Sequence, residues 1–199
     1  SLTVDQVLSA YFTPLTLGER SPQSSTIAVK RSYPVSITSW MDLDPSQVTL
    51  HHTHGAELFV HRATSTATEV RNEAGMEDMF ISTIAMTLNQ FSDQIGSIVR
   101  RTTAPHLASS VTTCDEICYS TNRVFAVQES KLFNNLSDMP DTADEIATLY
   151  GDGRVLDEAR DRKWCRVVAQ VYGYMLDQGV CYGIISCYNR TWFIHALGD

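Results

Sequence analysis

Val124-Phe125-Ala126-Val127-Gln128-Glu129-Ser130-Lys131 is an apolar run that ends abruptly in a carboxylate and an amine two residues apart. Val and Phe favour a pleated, buried backbone, so the run predicts a strand. Side chains alternate along a strand, which puts Glu129 and Lys131 on one face. Working backward, residues 111–119 form the partner strand of a hairpin turning at Ser120-Thr121-Asn122-Arg123, and that strand carries Asp115. Working forward, 134–141 is a polar linker containing Pro140, and helical signals run over 141–150 and 157–178. In the second of these Trp164, Val167, Val168, Val171, Met175 and Leu176 supply the apolar face, and Gly179 stands at the stop. Strands over 180–188 and 191–197 close the chain as a second hairpin around Asn189-Arg190. Strands interleaved with helices in this order predict an α/β core with a mixed central sheet flanked by helices.

Upstream, Glu77, Ile81, Ile84, Leu88, Phe91 and Ile95 recur at alternating steps of four and three, predicting one long helix over 68–100. One carboxylate, Glu77, interrupts its apolar stripe. Thr3 and Gln6 have capping-box spacing for a short helix ended by Pro14, 17–36 reads as a linker, and 37–43 and 57–61 read as short strands. The chain is therefore read as an N-terminal extension, 1–66, packed on a domain spanning 67–199.

At 199 residues and 43% hydrophobic content, one well-buried core is expected rather than two full domains. A net charge of −8 excludes a protein that coats nucleic acid by charge alone, so binding phosphates would need a local basic surface or bound cations. Five cysteines without a CxxC pair fit buried reduced thiols, hence an intracellular protein. No stretch reaches the roughly 18 apolar residues of a membrane span. The chain begins at Ser1 with neither an initiator Met nor a signal-peptide core, and is expected to be a piece of a longer protein with further domains. A GxxxxGK[ST] phosphate loop, a GxSxG elbow and an HExxH helix are all absent.

Hydrolysing a phosphodiester calls for a hard cation on oxygen ligands and a nearby ammonium to steady the attacking water. Asp115, Glu129 and Lys131 supply those parts. A second acid-x-Lys triplet, Asp161-Arg162-Lys163, falls at a helix start, where positions i and i+2 do not share a face. Arg162, Lys163 and Arg166 lead into the helix bearing Gln170 and are candidate phosphate contacts, although the acids among them make a solvated face the plainer reading. His51-His52-Thr53-His54 reads as a polar turn rather than a metal site.

The strand pair and the downstream helix together resemble the PD-(D/E)XK, or restriction-endonuclease-like, nuclease superfamily. The resemblance rests on Asp115, on Glu129-Ser130-Lys131, and on Gln170-Val171-Tyr172-Gly173-Tyr174, which fits the QxxxY helix motif of some members. Cys114 stands where the family's Pro is common. The resemblance implies that Asp115 and Glu129 hold Mg²⁺ or Mn²⁺ and that Lys131 orients water. It also implies that Gln170 supports the site, that Tyr174 lies near the nucleic-acid backbone, and that Glu77 adds an acid from the preceding helix, with Glu73 as its substitute. Over about 30 C-terminal residues, Gln170 to Met175, Tyr182 to Tyr188 and Thr191-Trp192-Phe193 are similar to the nuclease-type domain of fungal and oomycete Crinkler-type and fungal kinase-associated proteins. That similarity implies an effector module acting on nucleic acid, DNA ahead of RNA, in a nucleus. The alternative is a catalytically silent fold of this type, serving as an interaction or regulatory module beside a kinase or other effector domain.

Overall fold

The computed structural model describes residues 2–3, 16–17, 33–34, 36–38, 49–50, 69–91, 96–100, 114–120, 123–151 and 162–196. Two-residue strands β1 (Leu2–Thr3) and β3 (Thr49–Leu50) pair antiparallel, and β2 (Thr16–Leu17) pairs parallel with β4 (Glu69–Val70). Helix α1 (Glu73–Phe80) continues through a π turn (Ile81–Ala85), one α turn (Met86–Leu88) and a 3-10 turn (Asn89–Phe91). The main sheet has the spatial order β5 (Ser97–Arg100), β6 (Glu116–Ser120), β7 (Arg123–Ser130), β8 (Tyr182–Ser186) and β9 (Thr191–His195). Helices α2 (Ala143–Gly151) and α3 (Lys163–Gln178) fall between β7 and β8 in sequence. Neighbouring strands are antiparallel except β7 and β8, which are parallel. A parallel pair needs a long crossover, and the segment carrying α2 and α3 provides it. The chain is thus an α/β protein with a mixed five-stranded sheet.

The opening run is the middle strand of that sheet. Arg123 and Phe125 are exposed, but from Ala126 to Ser130 every side chain on both faces of β7 is buried. Both predicted hairpins form, β6 with β7 and β8 with β9, in strands that differ from the predicted bounds: 114–115, read as strand, precede β6, and β8 and β9 are 182–186 and 191–195. Helix α3 ends at Gly179, whose φ of 62° is the left-handed cap that only glycine adopts without strain. Its predicted first turns, 157–161, lie outside the described residues, as do 111–113.

The long helix predicted over 68–100 is shorter at both ends. Residues 69–70 are strand β4, the described helical path runs as far as Phe91, and 97–100 form strand β5. Gly96 explains the break: with φ 78°, a Cβ there would stand 2.6 Å from the Tyr119 carbonyl oxygen, so only glycine lets this backbone approach β6. Asn89 then serves as a substitute strand, its amide accepting from Ile98 N–H at 2.7 Å and donating to Ile98 C=O at 2.8 Å. The buried stripe of α1 and the π turn is Met76, Phe80 and Thr83, one residue ahead of the predicted Glu77, Ile81 and Ile84, which are half-buried.

The supposed linker 134–141 is packed: a 3-10 turn (Phe133–Asn135) leads into Leu136 and Met139, both in the core. Thr3 lies in β1, and the capping-box helix expected beyond it falls outside the described residues; 36–38 carry no regular structure, while 39–43, 57–61 and His51, His52 and His54 also lie outside the described residues. Contacts with the core do come from this part of the chain: the Tyr150 hydroxyl donates to the Pro34 carbonyl at 2.7 Å, and Ile37 packs against the core. All five cysteines are free thiols, four buried and Cys181 exposed. Among the described residues no helix is long and apolar enough to cross a membrane.

One close approach positions the site. A Cβ on Gly183 of β8 would lie 2.6 Å from both Met175 Sδ and Val171 Cγ1, so its missing side chain lets α3 settle onto the sheet. Gln170, one residue before Val171, is thereby brought to β7.

Candidate active site

The β7 strand ends in four consecutive buried polar residues, Gln128 to Lys131. Alternation sends Glu129 to one face and Gln128 and Ser130 to the other. Glu129 is 1% exposed, and its Oε1 accepts from Gln170 Nε2 at 2.6 Å and lies 2.6 Å from Lys131 Nζ. The Gln170 amide also donates to the Tyr174 hydroxyl at 2.6 Å. Glu129 Oε2 is buried with no hydrogen-bond partner among the described residues. A buried carboxylate is tolerated only when paired and hydrogen-bonded, and here one oxygen is doubly satisfied while the other is left open.

Around Lys131 the acids gather from three elements. Asp115, just before β6, accepts the Ser130 backbone N–H on Oδ2 at 2.8 Å, next to Glu129. Glu73, the first residue of α1, places Oε2 at 3.6 Å from Lys131 Nζ, and its Oε1 accepts from Asn135 Nδ2 at 2.9 Å. On the opposite face Glu116, 0% exposed, receives the Ser130 hydroxyl at 3.0 and 3.1 Å from its two oxygens. Gln128, its partner across the β6–β7 register, has a buried amide nitrogen with no hydrogen-bond partner among the described residues.

The electrostatics follow from this crowding. Burial, then the charge of Asp115, pushes Glu129 up to about 8 against the pull of Lys131. Burial raises Asp115 and Glu73 as well, opposed in each by Lys131, and it raises Glu116 well above the usual range with help from the Asp115 charge. Burial works to lower Lys131, but the carboxylates of Glu129 and Glu73 outweigh it and hold the ammonium protonated, above its ordinary value. Three carboxyl groups with raised proton affinity around one ammonium, with Glu116 behind them on the reverse face, form a region where added positive charge is favourable.

Most of the residues singled out from the sequence meet here. Asp115, Glu129, Lys131 and Gln170 are brought together, and Tyr174, 3% exposed, accepts from the Gln170 amide. Arg162, Lys163 and Arg166 are exposed at the start of α3. Of the two acids of α1 singled out from the sequence, Glu73 is the one beside Lys131. Glu77 lies toward Glu116, whose ionisation its charge opposes. Glu116 and Asn135 were not singled out from the sequence. The signal for Glu73 was present: Asn72 caps the helix, its side chain accepting from Gly75 N–H at 2.8 Å, and so makes Glu73 the first residue.

Among the described residues no three His, Cys, Asp or Glu side chains stand ready as a metal-holding group. The donor chemistry does suit a hard cation: beside Asp115, Glu129 Oε2 is a buried carboxylate oxygen that has no partner among the described residues. Compared with family models, curated proteins and solved structures, the chain matches none.

Proposed function

We propose that this chain is a metal-dependent phosphodiesterase of the PD-(D/E)XK type, with a restriction-endonuclease-like core, cleaving nucleic acid and DNA ahead of RNA. The observation that carries the reading is the buried Glu129–Lys131 pair at the end of the central strand, with Asp115 just before the adjoining strand and Gln170 supplied by α3. A solvated strand-end ion pair would have no reason to be buried or supported by a helix amide.

In this reading Glu129 Oε2 and Asp115 hold Mg²⁺ or Mn²⁺, which when bound makes water more acidic and offsets charge on the phosphate. Gln170 keeps Glu129 Oε1 turned inward, leaving Oε2 for the cation. The ammonium of Lys131 has three donors. One is engaged by Glu129, and another can orient the attacking water and meet the charge that builds on the phosphate oxygens. Exposed Arg162, Lys163 and Arg166 would meet the backbone of the substrate.

The test is incubation with supercoiled plasmid, linear DNA and RNA in Mg²⁺ or Mn²⁺, against EDTA and against Lys131→Ala. Cleavage that needs the cation and is lost in Lys131→Ala is the expected result; cleavage surviving in Lys131→Ala sinks the assignment. The net charge of −8 favours a second reading, a silent fold of the same type acting as an interaction module. Failure of the wild type to cleave any of these substrates decides for it.

A further inference from the structure

Two features that the reading above does not use converge on Lys131. Asn135 belongs to the 3-10 turn that follows the strand, a turn closed by Asn135 N–H to Leu132 C=O at 2.8 Å and Leu136 N–H to Phe133 C=O at 2.9 Å. Leu136, 1% exposed, anchors that turn in the core. Glu73 belongs to a helix start fixed separately by the Asn72 cap. Residues 62 positions apart therefore meet through one hydrogen bond, Asn135 Nδ2 to Glu73 Oε1.

The consequence falls on the second oxygen. With Oε1 committed to a neutral amide, Oε2 faces Lys131 Nζ at 3.6 Å, an ion-pair distance rather than a hydrogen bond. Lys131 is thus flanked by a tight partner, Glu129 at 2.6 Å, and a looser one, Glu73. A flexible four-carbon stem ending in three rotatable donors has many orientations, and two carboxylates select among them.

We propose that Asn135 and Glu73 are positioning residues for Lys131: the Asn135 amide orients the Glu73 carboxylate, which holds the Lys131 ammonium between two acids in one orientation. The claim rests on the nuclease reading for its catalytic meaning, though not for its geometry. Asn135 acts only through Glu73, so its effect vanishes once the Glu73 charge is gone.

The chain has three lysines, Lys30, Lys131 and Lys163, so amine acylation read by mass spectrometry resolves each one. Exposed Lys163 serves as the internal reference. In the wild type, buried Lys131 labels more slowly than exposed Lys163 by at least about tenfold, because its amine is shielded from reagent and held between two carboxylates. Asn135→Ala raises the Lys131 rate about threefold or more, Glu73→Gln raises it further, and Asn135→Ala adds nothing in the Glu73→Gln background. Asn135→Gln, which retains an amide donor at this half-buried position, restores the slow rate and guards against a merely misfolded Ala variant. Given nuclease activity, Asn135→Ala lowers kcat about tenfold with KM unchanged, the pattern of a misplaced group rather than a lost binding contact. An unchanged Lys131 rate in Asn135→Ala, or independent additive effects of the two substitutions, overturns the proposal. If labelling behaves as stated while the wild type cleaves nothing, the positioning stands and the nuclease reading alone falls.

Discussion

Replacing Glu129 with Gln removes one ionisable group from a place that resists ionisation, and the folding stability should record it. Below pH 4.5 the wild-type carboxyl is protonated whether folded or unfolded, and contributes nothing. Between 4.5 and about 8 the unfolded chain gives up this proton while the folded one keeps it, because burial and the charge of Asp115 oppose its loss. The folded state then binds more protons, so stability falls as pH rises through this window. Moving from 4.5 to about 8, at about 1.4 kcal/mol for each tenfold change, corresponds to about 5 kcal/mol as an upper bound, since the nearby Lys131 ammonium shares in the titration. Urea denaturation of wild type and Glu129→Gln at intervals from pH 5 to 8.5 is the assay. The wild type should lose stability relative to the variant by several kcal/mol on the order of that bound. Added Mg²⁺ should recover part of the loss at pH 8 and little at pH 5, because a cation favours the ionised carboxylate. A stability difference between the two proteins that stays constant across the range refutes the reasoning, since it would mean that Glu129 ionises in the folded chain as easily as in water.

Lys131→Met should abolish cation-dependent cleavage and also destabilise the fold by about 3 kcal/mol at pH 8, where removal of the ammonium strands a buried carboxylate; calorimetry at pH 5 and 8 separates the charge effect from packing. Gly183→Ala should lower stability by about 1–3 kcal/mol and depress cleavage as well, because its Cβ meets Val171 and Met175 and lifts α3 with Gln170 away from Glu129. An unchanged melting temperature would show that α3 does not depend on this contact. Gly179→Ala, at a left-handed helix cap far from any reacting group, should cost about 1 kcal/mol in denaturant titration with kcat unaltered.

Local chemistry made the central part of this protein legible. The β6–β7 and β8–β9 hairpins and the Gly179 stop of α3 each depend on residues close in sequence, so strand alternation, turn residues and a left-handed cap announce them. Alternation also put Glu129 and Lys131 on one face, whereas Asp115, read as part of the neighbouring strand, stands just before it and reaches the Ser130 N–H from there. Strand 97–100 was hidden because its short apolar run also fits a helix, and what decides against the helix is Gly96 approaching the Tyr119 backbone. The buried stripe of α1 was displaced by one residue because adjacent apolar stripes overlap and only the packed sheet selects between them. Burial of Leu136 and Met139 within a polar stretch likewise comes from the core above them.

The sequence by itself determined that an acid and an amine would stand together at the end of a buried strand, because a period of two allows nothing else. Only the tertiary structure decided which acids surround that amine. Glu73 reaches Lys131 because a helix cap and a 3-10 turn, 62 residues apart, meet at Asn135. Glu116 is buried on the reverse face because the sheet is covered there too. Both depend on distances through space, which no local pattern encodes.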